Sequence, residues 1–467
     1  MLARAKIGVN EKRRKPVLIE KGADKFIKVL RVLIPDRPGS LGRILCTIGE
    51  QGAHIGDILR VRFGITHNVR DIEVYLESEE HLELVLSSIG TLEGVIIEEI
   101  YDPVLSMHKG GKIKVASKIS VDGIANLRKV YTPGVAKVCR EISREQDNFE
   151  IYTWSQNTVA IITNGTAVLG LGDIGVRASL PVMEGKAVLL DQLVGLSGIP
   201  ILIPYKDPDM FVNAVLAIHE SFGAINLEDI AAPYCFEIED KLIASGIEKP
   251  LMHDDQHGTG VVVLASLLNA SKYAGVSLKN ETIGLIGLGA AGMGIAKLLH
   301  AYGVKRIIGC DLSRQAMEFF ERTIQGQTAN LEELMQSARI IISTTGQKGL
   351  IKPSMVHPGQ VILALSNPDP EIRPEDATSA GARFAADGRS VNNAVAYPAI
   401  YKGALAARAR RIGNRMKIEA AKTIASFAEE GEILPSVLNK AMHEAVARTI
   451  EHAAYESGLA RVTKEEG

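Results

Sequence analysis

The chain has 467 residues, 46% of them hydrophobic and 23% charged, with a formal net charge of −2. That is the composition of a globular chain of roughly three domains, and it excludes a polyanion partner bound through bulk charge. The one short basic run, Glu11–Lys15, reads as a solvated terminus. Four cysteines, Cys46, Cys139, Cys235 and Cys310, lie far apart without a C-x-x-C spacing, so neither a disulfide framework nor a zinc ribbon is implied. No apolar segment follows the N-terminus, and no run approaches about 18 continuous apolar residues, the length of a membrane span. The expectation is a cytoplasmic protein with no nucleic-acid and no membrane partner.

Residues 1–25 lack periodicity and read as an arm. From Phe26 the pattern predicts a strand at Phe26–Ile34, a helix at Ser40–Gln51, strands at His54–Phe63 and Val69–Leu76, a helix at Glu79–Ile89 and a strand at Val95–Tyr101. That βαββαβ order is ferredoxin-like. After the first strand comes P-D-R-P-G-S (35–40), where prolines fix the exit of the chain and Ser40 is placed to cap the helix. Together with G-A-H-I (52–55), this loop resembles the ACT domain, a small regulatory module, over residues 26–102. The resemblance implies an amino acid or similar effector bound across a dimer interface, near Asp36, Gly39, Ser40 and His54. The alternative is that this unit only dimerises the chain.

Asp102–Gly111 reads as a linker into a catalytic domain spanning 103–275. Lys112–Ala116 has a short strand pattern. Tyr131, in Y-T-P-G, sits on a turn before a helix starting at Val135, as an acid or as a packing residue. Thr158–Gly175 reads as two apolar strands joined by a type I′ hairpin at Asn164-Gly165, followed by G-L-G-D-I-G, which must bring backbone close to something. Lys186 lies between a glycine and A-V-L-L. Burial there would disfavour its charge and leave it neutral as a base, whereas at a helix start it would snorkel.

Two acidic pairs follow short apolar strands. Glu228-Asp229 follow Ala224–Leu227, and Asp254-Asp255 follow Pro250–Met252 inside L-M-H-D-D-Q-H-G-T-G (251–260). Strand C-terminal ends face the crevice where α/β proteins bind ligands. Carboxylates converging there would repel without a cation, and a hard divalent ion, Mg²⁺ or Mn²⁺, relieves the repulsion. The decapeptide alone admits a metal site, an acid/base cluster or a capping turn. His253 and His257 read as orienting or structural groups.

Thr282–Ile286 is a buried strand, G-L-G-A-A-G (287–292) follows it, and Met293–Tyr302 is a helix: the strand–turn–helix setting that makes G-x-G-x-x-G informative. Asp311 ends the next strand, Ile307–Cys310. It can accept both ribose hydroxyls and would repel a 2′-phosphate, which favours NAD, while Arg314 nearby leaves NADP open. Gly287, Gly289, Ala290, Ala291 and Gly292 would seat the pyrophosphate at the helix N-terminus. Ile340–Ser343 and Val361–Leu365 are further strands of this domain, 276–398. The second runs into Ser366-Asn367-Pro368. Asn392 and Asn393 form a later amide pair, as turn formers or as donors to a carboxylate. From 399 to 467 the pattern is helical, with a break at Glu430–Pro435.

Taken together, Y-T-P-G-V-A (131–136), N-G-T-A-V-L-G-L-G-D-I-G (164–175), P-V-M-E-G-K (181–186), N-L-E-D (226–229), H-D-D-Q-H-G-T (253–259), G-L-G-A-A-G (287–292), A-L-S-N-P (364–368) and V-N-N-A (391–394) resemble the malic enzymes of the shorter bacterial type. The resemblance implies an α/β fold in which an α/β catalytic domain and a Rossmann-type NAD-binding domain follow the ACT-like unit. It implies oxidative decarboxylation of L-malate to pyruvate and CO₂ with NAD or NADP and Mg²⁺ or Mn²⁺. Lys186 would be the general base, Tyr131 the general acid, and Glu228, Asp229 and Asp255 the metal ligands. Asp254 would tune Lys186, and Asn367 and Asn393 would contact substrate or nicotinamide. The arginine that larger relatives place near N-G-T is missing, and Arg177 is the candidate for the second malate carboxylate. A homodimer or higher oligomer is expected. The rivals are another metal-dependent β-decarboxylating dehydrogenase and a non-catalytic effector sensor.

Overall fold

The computed structural model describes residues 26–461; the predicted arm at 1–25, with its basic run, and residues 462–467 lie outside the described residues. The chain divides into two compact units, with the break between Gly110 and Gly111.

In the first unit, strands β1 (Phe26–Pro35), β2 (His54–Phe63), β3 (His67–Leu76) and β4 (Ile96–Tyr101) alternate with helices Ser40–Glu50 and Glu79–Gly90 in the expected βαββαβ order. The sheet order is β2-β3-β1-β4, antiparallel throughout. Period-two alternation puts Leu30, Val32 and Ile34 of β1 on one face, where they pack with Ile44, Ile48, Val85 and Ile89 of the helices. Asp71 of β3, itself buried, accepts two hydrogen bonds from Arg31 (2.8 and 2.9 Å) and one from the Tyr101 hydroxyl (3.0 Å).

The second unit holds two parallel sheets. One contains β5 (Thr158–Thr163), β6 (Ser197–Leu202), β7 (Ala224–Leu227) and β8 (Leu251–His253) in the order β6-β5-β7-β8. The other contains β9 (Thr282–Ile286), β10 (Arg306–Cys310), β11 (Gln327–Thr328), β12 (Ile340–Ser343), β13 (Val361–Ala364) and β14 (Phe384–Asp387), ordered β11-β10-β9-β12-β13-β14. Strands such as T-V-A-I-I-T and V-I-L-A are buried at every residue, as sheets covered by helices on both faces require. The order reverses between β9 and β12, which opens the ligand crevice of a doubly wound fold at the end of β9. The 21-residue helix Asp254–Ala274 leads from the first sheet to the second. Helices Tyr397–Ala406, Asn414–Ser426 and Lys440–Glu456 return to the main core through Tyr397, Tyr401, Met416, Ile424 and Ile450. No helix among the described residues is long and apolar enough to cross a membrane.

Three local expectations fail. Ser40 does not cap the first helix: it is the helix's first residue, after Gly39 in left-handed backbone, and its hydroxyl makes no hydrogen bond among the described residues. The hairpin at Asn164-Gly165 does not form, because β5 lies between β6 and β7, both parallel to it, and has no free edge. Instead Asn164 folds the chain into a loop, accepting from the Thr166 hydroxyl (2.7 Å) and donating to the Tyr205 carbonyl (3.3 Å). Lys112–Ala116 forms no strand among the described residues: Val115 is exposed, and the Lys112 backbone amide donates to the Glu184 carboxylate (3.2 Å) instead of to a neighbouring strand.

Candidate active site

The β7–β8 register sets Leu227 opposite His253, so the residues just beyond each strand share one edge of the sheet. Glu228 and Asp229 leave β7 there, and Asp254 and Asp255 begin the long helix after β8. Successive strand residues would point to opposite faces. Asp229 avoids this by taking a left-handed backbone, φ 53°, which Asp tolerates better than most residues.

Lys186 arrives from the middle of helix Leu180–Val194 and is buried, which rules out the snorkelling alternative. Its Nζ lies 2.5 Å from Asp254 Oδ2, 3.0 Å from Glu228 Oε1 and 4.4 Å from the centre of the Tyr397 ring. The same Asp254 oxygen accepts from Asn393 Nδ2 at 2.8 Å, and Glu228 Oε2 accepts from Asn226 Nδ2 at 2.9 Å. Burial pushes the Lys186 ammonium down, but Asp254 and Glu228 outweigh it and hold the pKa well above the ordinary lysine value. The neutral lysine expected from burial is therefore not what this charge set imposes; the proton stays on Lys186 while both carboxylates face it.

One oxygen from each of Glu228, Asp229 and Asp255 lies within 4.8 Å of the others. Asp255 Oδ2 accepts from the Asp229 amide at 3.0 Å, and Asp229 Oδ2 is buried without a partner. Burial, then Asp255, pushes the Asp229 carboxyl up to about 7. Burial also raises Glu228 well above its ordinary range, with Lys186 opposing and the three aspartates adding to the rise. Crowded carboxylates with an orphaned oxygen are a donor set that fits a hard divalent cation.

At the crevice of the second sheet, Gly287 takes φ 93° between β9 and its helix, and a side chain there would meet the Thr344 carbonyl. A Cβ on Gly292 would stand 1.9 Å from the Gly287 carbonyl oxygen, so only glycine lets the helix close on the turn. Nothing lies within 4 Å of a Cβ on Gly289, which leaves that side of the loop open to a pyrophosphate. Ala290 and Ala291 start the helix Ala290–Tyr302, whose free amides face the same opening. Asp311 accepts from Leu288 N (2.7 Å) and Ser313 N (2.8 Å), which ties the glycine loop to the end of β10. Arg314 pairs with Glu318 at 3.0 Å on an exposed helix face. Asn367 follows β13 and is exposed; a Cβ on Gly170 would lie 3.4 Å from its carbonyl, so the G-L-G-D-I-G loop reaches the cofactor sheet.

Two expected site residues are not tied to this cluster. Tyr131 is 67% exposed, and its hydroxyl makes no hydrogen bond among the described residues. Arg177 is exposed and makes no ion pair among them. Three contributors went unrecognised in the sequence: Asn226, Tyr397 and Tyr401. The Tyr401 hydroxyl reaches Ile225 O (3.0 Å), Asn226 Oδ1 (3.2 Å) and Met252 O (3.3 Å), pinning β7 to β8 beneath the carboxylates. Their i, i+4 spacing just after V-N-N-A is the signal that could have found both tyrosines. In the first unit, Asn68 Nδ2 donates to Asp36 Oδ1 at 2.9 Å, while Asn68 Oδ1 and Ser40 Oγ are buried without partners. Gly39 directly precedes the helix, and His54, the first residue of β2, is exposed.

These features define a dinucleotide-binding α/β protein with a buried lysine–carboxylate centre beside a divalent-cation donor set. Residues 112–207 match the family model of the malic enzyme N-terminal domain, and residues 253–349 match that of the NAD-binding domain of D-isomer specific 2-hydroxyacid dehydrogenases. The NAD-dependent malic enzyme 1 of Bacillus subtilis is 48% identical over 433 residues, 92% of this chain and 98% of that one. The NAD-dependent malic enzyme of Geobacillus stearothermophilus is 40% identical, covering 90% and 93%. Among solved structures, the malic enzyme of Pyrococcus horikoshii superposes with a TM-score of 0.73 at 39% identity, covering 77% of this chain and 92% of that one. The NAD-dependent malic enzyme of Thermotoga maritima gives 0.70 at 34%, covering 75% and 99%. The chain belongs to the malic enzyme family.

Proposed function

We propose that the protein oxidises L-malate with NAD and decarboxylates it to pyruvate and CO₂. The observation that carries this reading is Lys186 held between Asp254 and Glu228 on one side of the Glu228–Asp229–Asp255 cluster. Mg²⁺ or Mn²⁺ on those three carboxylates would supply Lewis acidity at the C2 oxygen and take up the charge of Glu228 that otherwise keeps Lys186 protonated. Lys186 removes the C2 hydroxyl proton as the C2 hydride passes to NAD, the C3–carboxyl bond then breaks to release CO₂, and Tyr131 protonates C3. Asp254 holds and orients the lysine, Asn393 fixes Asp254, Asn367 lies beside the nicotinamide end of the cofactor, and Arg177 takes the second malate carboxylate. Gly287, Gly289, Ala290, Ala291 and Gly292 seat the pyrophosphate, and Asp311 favours NAD over NADP by charge. With all four cysteines free, the cytoplasm fits.

The position of Tyr131 bears on assembly. From Val115 to Trp154 the chain exposes Val115, Ile119, Ile124, Leu127, Ile151, Tyr152 and Trp154 together with Tyr131. An apolar stretch of that extent marks an interface, and a second copy of this chain is its occupant, bringing Tyr131 to the partner's lysine. The first unit is an ACT-like effector module, and the orphaned Ser40 Oγ and Asn68 Oδ1 beside Asp36 and Gly39 support an amino-acid or similar ligand there.

Steady-state assays of the purified protein with L-malate and Mn²⁺, comparing NAD with NADP, test the reaction. Reduction with the higher kcat/KM for NAD is expected. No reduced cofactor from malate with either nucleotide would overturn it.

A further inference from the structure

Behind the acidic cluster lies a second set of buried charges that the proposed reaction does not use. Glu239, on helix Tyr234–Ala244, is buried, and its carboxylate gathers three partners. It accepts from the His253 amide at 2.9 Å, from Gln256 Nε2 at 3.3 Å, and its two oxygens lie 2.9 Å from His257 Nε2. His257 Nδ1 in turn lies 2.9 Å from Nζ of Lys417, a buried residue of helix Asn414–Ser426 with no carboxylate of its own to pair with among the described residues. An ammonium only donates, so Nδ1 is the acceptor; the ring proton then sits on Nε2 and is donated to Glu239. The chain of bonds runs from Lys417 through His257 to Glu239, and from there to the residue that caps the helix bearing Asp254 and Asp255.

Burying a lysine and a glutamate away from water costs far more, before their pairing is counted, than an ordinary Ser or Asp cap contributes at a helix start. This helix has no such cap: its N-cap is His253, which makes no side-chain capping bond. Its first turn also carries two of the carboxylates that repel one another beside Lys186. Glu239 instead grips the backbone at that turn and, through Gln256 and His257, side chains of the turn itself. Burial pushes the Glu239 carboxyl up, but His257 and Lys417 outweigh it and hold it down at about 2, so the acceptor is charged throughout the neutral range.

We propose that Glu239, His257 and Lys417 are positioning residues, a buried charge chain that holds Asp254 and Asp255 in place for Lys186 and for the cation. The proposal rests on reading the Glu228–Asp229–Asp255 cluster as a cation site. Mn²⁺ binding to the full-length protein, without malate or NAD, is measured by calorimetry or by electron paramagnetic resonance, alongside the melting temperature. Outer-shell losses at metal sites typically weaken affinity about 10–100-fold, and that is the loss expected for Glu239→Gln, Lys417→Met and His257→Leu. His257→Gln should stay close to the unsubstituted chain, because an amide can both accept from Lys417 and donate to Glu239. Should Glu239→Gln fail to fold, the His257→Leu and His257→Gln pair carries the test. A folded His257→Leu with unchanged Mn²⁺ affinity, or a His257→Gln no better than His257→Leu, would overturn the proposal. Absence of Mn²⁺ binding by the unsubstituted chain would overturn the cation-site reading, and this proposal with it.

Discussion

Two acidic groups in this molecule are treated in opposite ways. Asp71, in the first unit, accepts three hydrogen bonds from Arg31 and Tyr101, and the Arg31 guanidinium holds its carboxyl below the usual range. Glu228, Asp229 and Asp255, in the second, crowd one another, and burial raises the first two well above that range. A carboxylate used for architecture is saturated by donors from its own chain. In the second cluster Asp229 Oδ2 is buried without a donor, at a cost in stability that a bound cation would offset.

The sharpest way to break this contrast is to remove the buried lysine that pairs with Glu228 of the crowded cluster. Lys186→Ala should lower kcat/KM for malate by about 10³-fold or more, the upper range for a general base, while NAD binding followed by fluorescence is unchanged. Robust malate oxidation by that variant would remove Lys186 from its role. Mixing inactive chains comes next. If Tyr131 serves the partner's site, co-refolded Lys186→Ala and Tyr131→Phe chains should regain up to about a quarter of the unsubstituted activity, since half of the dimers are mixed and each has one intact site. Failure of the mixture to exceed its separate components would place the tyrosine in its own subunit.

Stability gives the smaller effects, with opposite signs. Asp71→Asn should destabilise the chain by about 1–3 kcal/mol in denaturant titration, as loss of hydrogen bonds to a charged group does. Asp229→Asn should stabilise the metal-free chain by about 1–2 kcal/mol above pH 7 while abolishing stabilisation by Mn²⁺. The pH dependences differ as well. The Asp71 pKa is depressed on folding, so its contribution is present above the ordinary value of 3.8 and disappears as pH falls through the folded value. The Asp229 pKa is raised to about 7, so its penalty is absent near pH 4 and grows as pH rises toward 7. Equal signs for the two asparagine variants would dissolve the distinction. The smallest effect belongs to Ser40→Ala, which should leave basal turnover unaltered and remove whatever thermal shift an amino-acid screen produces in the unsubstituted protein.

Much of the fold is local in origin and so was legible. Alternation in β1 and β3 announces an antiparallel sheet with one face covered, and the acidic pairs 228–229 and 254–255 directly follow short apolar strands. The false hairpin at Asn164-Gly165 shows the limit: a turn signal is local, but whether β5 has a free edge depends on β6 and β7, tens of residues away. Lys186 sits among apolar neighbours in the sequence, yet its charge state is set by Asp254 and Glu228, which only the fold brings near. Glu239 and Lys417 are farther apart still and look like ordinary polar residues on amphipathic helices. The exposure of Tyr131 is likewise set by tertiary packing, which the Y-T-P-G motif does not encode locally.

The most direct test of the account is product formation from L-malate and NAD as Mn²⁺ is titrated into chelator-treated protein. The account predicts NADH and pyruvate in equal amounts, negligible without the ion, saturating with it, and lost in Asp229→Asn at every Mn²⁺ concentration. NADH formed at full rate in the presence of chelator, or undiminished turnover by Asp229→Asn, would contradict it.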